Sequence, residues 1–198
     1  MDGDILLFIQ EFIRNDILTP FMVVITRSAD YGALWITLIL ALIIIRKTRI
    51  PGHIMGFSLA IEAIIVNLLV KPIAARERPY DVIEELVYIG KKQLDNSFPS
   101  GHTGAAFAVA GAMLFIVIFG LKGFSDNKTF RRLTVVTLIY AVLIALSRLY
   151  VGVHYPTDVL GGMAIGLLSA LAGYFSERKV RALWENRGAS KRAADTEV

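Results

Sequence analysis

Apolar positions along the chain gather into long blocks, and the charged positions collect between them. The blocks run from Asp30 to Ile45, His53 to Val70, His102 to Leu121, Leu133 to Leu149 and Val159 to Phe175. Each approaches the roughly 20 residues that cross a hydrocarbon core of about 30 Å. None alternates with a period of two, so the pattern predicts helices rather than strands. A soluble all-α protein would need polar stripes that these blocks lack. The segment Asp4 to Thr26 is also apolar, but Glu11, Arg14, Asn15, Asp16 and Pro20 interrupt it. It reads as a bent first span or as two short helices partly in the interface. The expected fold is therefore an all-α polytopic membrane bundle of six helices, the first tilted or broken. One domain accounts for residues 1–176, and residues 177–198 form a polar, basic, solvated tail.

Composition agrees: 55% of the 198 residues are hydrophobic, and the mean hydropathy is +0.58. The start, MDGD, has no basic region and no small-residue cleavage site follows, so no secretory signal is expected. Charge then orients the bundle. The loop with Arg46, Lys47 and Arg49, the loop from Lys122 to Arg132 and the tail together hold 13 of the 21 lysines and arginines. By the positive-inside rule that side is cytoplasmic. The net charge of +4 is then a basic membrane rim, and no nucleic-acid partner is expected. With no cysteine, disulfides and thiolate metal sites are excluded, which fits an outward-facing enzyme. The sequon at Asn127 falls in a cytoplasmic loop, where glycosylation is not expected.

Three polar clusters occupy the opposite helix ends: KPIAARERP from Lys71, PSGH from Pro99 and SRLYVGVHYPTD from Ser147. Charged groups are costly near a bilayer, and each is a functional hypothesis by default. Taken alone, Lys71 and Arg78 are ordinary snorkelling cations. Pro79, however, stops the helix and fixes where Arg78 points, and a guanidinium grips two phosphate oxygens where an ammonium adds a point charge. In PSGH, Ser100 suits a helix N-cap and Gly101 allows close backbone approach to an anion. The free N–H groups of such a start attract phosphate, with His102 beside it; the plainer reading is a capped helix with an interfacial histidine. Ser147 and Arg148 end one helix, and His154 and Asp158 begin the next. A spacing of four puts Asp158 on the face of His154, where its carboxylate can accept the Nδ1 proton and free Nε2 to attack. His102 has no carboxylate nearby in sequence, so it is the better acid for a leaving oxygen. His53 lies at the wrong end of its helix.

These three clusters, with Lys71-x6-Arg78-Pro79, Pro99-Ser100-Gly101-His102 and Ser147-Arg148-x5-His154-x3-Asp158 in order and register, resemble the complete signature of the type 2 phosphatidic acid phosphatase superfamily. The resemblance runs from about residue 20 to 175, and the compact size is similar to small bacterial members such as phosphatidylglycerophosphatase B and undecaprenyl pyrophosphate phosphatase. It implies a lipid phosphatase in the plasma membrane of a bacterium, with its active site at the extracytoplasmic helix ends. His154 would become a phosphohistidine, Asp158 would orient it, and His102 would protonate the leaving oxygen and then help activate water. Lys71, Arg78, Ser100, Gly101 and Arg148 would hold the phosphate oxygens. The family needs no metal or cofactor, and no cluster here has metal-ligand spacing. The expected partner is a lipid phosphate in the bilayer; the sequence names no protein partner and is compatible with a monomer. Phosphatidylglycerophosphate is the favoured substrate and undecaprenyl pyrophosphate the alternative.

Two other classes stay open: an anion transporter, which would want broken helices near mid-membrane, and a phosphate sensor, which would not need the His154–Asp158 pair. Of the remaining polar residues, Glu62 and Asn67 read as interhelical hydrogen bonds, and Gly161, Gly162 and Gly166 as a site of close helix packing. Tyr80, Tyr150 and Tyr155 read as an interfacial belt. The loop from Tyr80 to Phe98 reads as a surface element able to gate the site.

Overall fold

A computed structural model describes residues 2–196, and side chains as far as residue 184. Among them there are helices and no strands, in the order α1 (Asp2–Phe8), α2 (Leu18–Ser28), α3 (Ala33–Ile44), α4 (Arg49–Ala63), α5 (Lys71–Ala74), α6 (Pro79–Val82), α7 (Gly101–Phe119), α8 (Lys128–Tyr150) and α9 (Pro156–Thr196). A π-helical turn, Ile9–Ile13, follows α1, and a longer π-helical stretch, Ile64–Val70, joins α4 to α5.

Four stretches among the described residues are long and apolar enough to span a membrane: Arg49–Val82, Gly101–Phe119, Lys128–Tyr150 and Pro156–Trp184. A fifth forms if Leu18–Ser28 and Asp30–Ile44 count as one span bent by 47°. The six helices expected from the sequence are thus not found: the segment read as a separate first span divides between α1 and the first half of the bent pair. The bend has a backbone cause. Tyr31 and Gly32 both take left-handed conformations, at φ 56° and 68°, which an α-helix cannot continue through. Helix α9 runs on through Glu177, the first residue of the expected tail.

At the centre lies α7, buried almost throughout from Thr103 to Met113. Its small residues face those of α9. A Cβ on Gly162 would fall 2.4 Å from the carbonyl oxygen of Ser100, and one on Gly166 would fall 2.4 Å from that of Gly104. The glycine motif therefore packs helices within one chain, as the sequence reading held, because only a missing side chain lets two backbones come this close. Two turns further along α9, Gly173 meets Ser58 of α4 in the same way. Helix α7 ends at Gly120, left-handed at φ 79°, with its N–H on the Ile116 carbonyl. Helix α8 starts at Asn127, whose side chain accepts from Phe130 N at 3.0 Å. These contacts bring one end of α4–α5, the start of α7, the end of α8 and the start of α9 together.

Candidate active site

That shared end encloses a cavity of about 1100 Å³, lined by Lys71, Arg78, Gly101, His102, Arg148 and His154 together with apolar residues of α2, α3 and α4. Six of the eight predicted site residues therefore line one space. Lys71 follows directly on the π-helical stretch, a feature often found at functional sites, and is buried. Ala75, left-handed at φ 44°, then ends α5 and turns the chain. Arg78 is held extended before Pro79, as sterics require of a residue preceding proline. Gly101 passes close to Lys71, so that a Cβ there would lie 3.8 Å from Nζ.

Arg78 donates from Nη1 to the Val153 carbonyl at 2.8 Å and to His154 Nε2 at 3.2 Å. A guanidinium has no acceptor, so Nε2 must present its lone pair there. The imidazole proton then sits on Nδ1, which faces Asp158 Oδ2 at 3.5 Å, a long contact of the kind that tightens only with substrate bound. Burial first, then the charges of Arg148, Arg78 and Lys71, hold His154 well below the ordinary histidine value. A neutral imidazole with its lone pair on Nε2 is the form in which a histidine can act as a nucleophile.

Asp158 is fully buried and better anchored than the sequence indicated. It accepts from Arg76 Nη1 at 2.7 Å, from Ser97 Oγ at 2.6 Å and from the Tyr155 backbone N at 2.8 Å. Arg76 also holds Asp2 at 2.9 Å and lies 3.9 Å over the Tyr155 ring. Ser100 departs from its expected part: its hydroxyl makes no cap bond and instead accepts from Thr103 Oγ1 at 3.0 Å. Its backbone N–H is spent on the Asp158 carbonyl at 3.0 Å, so the cavity-facing part of this helix start is Gly101 and His102.

Two carboxylates escaped the sequence reading. Asp30, at the α2–α3 bend, accepts from His102 Nε2 at 3.0 Å. His102 thus has a carboxylate after all, and what separates the two histidines is that the Nε2 of one is bonded to a carboxylate while that of the other faces a cation. Asp95, from the loop before α7, sits between Lys71 and Arg78. It forms an ion pair with Lys71, and its Oδ1 accepts from Arg78 Nη2 at 2.6 Å. Burial would raise its pKa, but the hydrogen bond and charge of Lys71 and the charge of Arg78 outweigh it and bring the carboxyl down to about 2.

Arg148 is the least satisfied group. It is 3% exposed and Nη1 donates to Thr26 Oγ1 at 2.6 Å. Its Nε and Nη2 are buried without a hydrogen-bond partner. Such a charge is expensive unless an anion completes it. The other expectations divide. His53 lies in the first turns of α4, at the end away from the cavity. Asn67 bonds within its own helix, to Ala63 O at 3.0 Å, and Glu62 lines the cavity, so neither makes the interhelical bond expected. Tyr150 and Tyr155 are buried at 2% and 8% exposure rather than belted at the interface; the Tyr150 hydroxyl accepts from Asn15 N at 3.1 Å.

Comparison with known proteins places this arrangement. The PAP2 superfamily matches residues 51–181. An undecaprenyl-diphosphatase of Sulfolobus acidocaldarius is 31% identical over 70% of this chain and 62% of its own length, so the chain spans less than two thirds of that relative. Undecaprenyl-diphosphatase BcrC of Bacillus subtilis is 29% identical over 78% of this chain and 72% of its own. Phosphatidylglycerophosphatase B of the same organism is 40% identical over 36% of this chain and 34% of its own. Among solved structures, the transmembrane PAP2-type phosphatidylglycerolphosphate phosphatase of Bacillus subtilis superposes with a TM-score of 0.72 at 27% identity, over 90% of this chain and 85% of that one.

Proposed function

This chain belongs to the PAP2 superfamily, and from that premise we propose that it is an integral membrane lipid phosphatase working through a phosphohistidine, with phosphatidylglycerophosphate as substrate. The observation that carries the reading is the Arg148 guanidinium, buried with Nε and Nη2 unpaired in a cavity that also holds Lys71 and Arg78. Lys71, Arg78 and the incompletely bonded Arg148 about one space call for an anionic ligand.

A phosphoryl group bound there displaces Asp95 from Lys71 and Arg78 and completes Arg148. His154 Nε2 attacks phosphorus as the bond to the lipid oxygen breaks, and His102 supplies the proton that the leaving oxygen takes. The phosphate on nitrogen is then hydrolysed by water, His102 taking the proton back, which returns His154 to its starting state. Asp158, fixed by Arg76 and Ser97, balances the charge that appears on the imidazole. Lys71, Arg78, Arg148, Ser100 and Gly101 act as the phosphate-binding set, Ser100 through its placement of the helix start. Neither metal nor cofactor enters these steps.

A second reading keeps the mechanism and changes the lipid. The relatives named as undecaprenyl-diphosphatases match more of this chain than phosphatidylglycerophosphatase B does, which supports a diphosphate on a long isoprenoid equally well. Both readings put the site on the outer face of a bacterial plasma membrane, since 13 of the 21 basic side chains belong to the opposite side and the tail. Residues 1–176 would be the phosphatase domain of a monomer and 177–198 its cytoplasmic tail. The test is phosphate release by purified protein in detergent with EDTA, from phosphatidylglycerophosphate, phosphatidic acid and undecaprenyl pyrophosphate side by side. Release that disappears in His154→Ala is expected. A requirement for added metal, or full turnover in His154→Ala, would overturn the mechanism.

A further inference from the structure

Part of the lining of the cavity that holds Lys71, Arg78 and Arg148 is apolar. Its wall there is made by Val23 of α2, Ile36 of α3, Leu59 and Ala63 of α4 and Ala105 of α7. One acidic side chain is set among them, Glu62. It is 2% exposed, and its Oε1 is buried without a hydrogen-bond partner. The chain makes room for it: a Cβ on Gly104 would fall 2.2 Å from Oε1, so any larger residue two positions after His102 would expel the carboxyl group. The depth follows from the same helix pair. Val66 and Lys71 lie against Gly101, and Glu62 lies against Gly104. Glu62 is therefore about one helical turn, roughly 5 Å, below the Lys71 ammonium.

Ala105 follows His102 by three positions on the same face of α7, so a leaving group that takes its proton from His102 lies against this apolar wall. A hydrocarbon chain there would surround the carboxyl group with methylenes and leave it unpaired, and a second phosphate would be set against an apolar wall. A hydroxyl on the carbon next to the phosphate ester would hydrogen-bond it. We propose that Glu62 contacts such a hydroxyl, and that the site thereby selects phosphates of polyols, of which the glycerol phosphate headgroup is the lipid example, over phosphates flanked only by hydrocarbon or acylated carbons. The inference deepens the phosphatase reading and rests on it. Sites that pair a buried group with a substrate hydroxyl reject analogues lacking it far more strongly than apolar pockets discriminate by size.

The experiment compares wild type, Glu62→Gln and Glu62→Leu on phosphatidylglycerophosphate, phosphatidic acid and farnesyl diphosphate, with vanadate inhibition measured for each variant. Phosphatidic acid carries the same kind of monoester but its neighbouring hydroxyl is acylated. Glu62→Leu should lower kcat/KM for phosphatidylglycerophosphate at least tenfold relative to both other substrates, with vanadate inhibition intact. Glu62→Gln keeps a carbonyl acceptor and should recover most of the preference. Equal losses on all three substrates would make Glu62 a counter-charge for Lys71 and overturn the inference, as would an unchanged preference in Glu62→Leu. If wild type released no phosphate from any of them and ignored vanadate, the phosphatase reading itself would fail and the inference with it.

Discussion

The carboxylate of Asp95 occupies the place where a phosphate would be held, and removing its charge should strengthen anion binding. Asp95→Asn keeps the size of the side chain and one acceptor for Arg78 while deleting the negative charge between Lys71 and Arg78. The fall of its pKa from 3.8 to about 2 corresponds to about 2 kcal/mol of preference for the charged form. The side chain is 50% exposed, so solvent screening leaves roughly half of that, about 1 kcal/mol. An incoming anion no longer has to displace that interaction, and its affinity should rise about fivefold. The assay is inhibition by orthovanadate during hydrolysis of a phosphate monoester in detergent. The inhibition constant should fall about fivefold, KM should fall with it and kcat should hold. A weaker vanadate affinity would refute the reasoning, because Asp95 would then be arranging Lys71 and Arg78 for the substrate rather than standing in its place.

Further consequences concern the support of the histidines and the packing beneath them. Arg76→Ala leaves the buried Asp158 with only Ser97 and the Tyr155 N–H as donors. Turnover should drop about 10- to 100-fold, as for a buried charge losing one partner, with Arg76→Lys recovering part; unchanged kcat would remove Arg76 from the site. His154 has a folded pKa below its ordinary 6.5, so the folded protein stays neutral there as pH falls while the unfolded chain takes up a proton. The acid limb of kcat/KM should therefore lie below pH 6.5, and thermal stability in detergent should decline as pH is lowered through that value. An acid limb at or above 6.5 would contradict the assignment of His154. Gly166→Val places a Cβ 2.4 Å from the Gly104 carbonyl oxygen, and forcing α9 from α7 should cost about 1–3 kcal/mol. That is several degrees in melting temperature; an unshifted Tm would mean that the helices are not in this contact.

What could be read from the sequence was local. Lys71, Arg78, His102, Arg148 and His154 were legible because each sits at the end of an apolar block, where a charged residue needs a reason. Asp158 was legible through its spacing of four from His154. The missed residues act across the chain: Asp30 meets His102 over 72 positions and Arg76 meets Asp158 over 82. No periodicity records such pairs. Asp30 was absorbed into an apolar block because a single acidic residue does not reveal a bend, which here comes from the backbone of Tyr31 and Gly32. Tyr150 and Tyr155 had the composition of an interfacial belt, yet burial was decided by the packing of α1 and α2 over the site, which hydropathy alone does not encode.

The central claim is that phosphate passes through His154. Rapid quenching of the enzyme during turnover of a lipid labelled with ³²P in the scissile phosphate tests it directly, with the protein digested and the labelled peptide sequenced. Acid-labile, base-stable label on the peptide containing His154, absent from His154→Ala, is the predicted result. Full turnover with no protein-bound label at any quench time, or label on another residue, would contradict it.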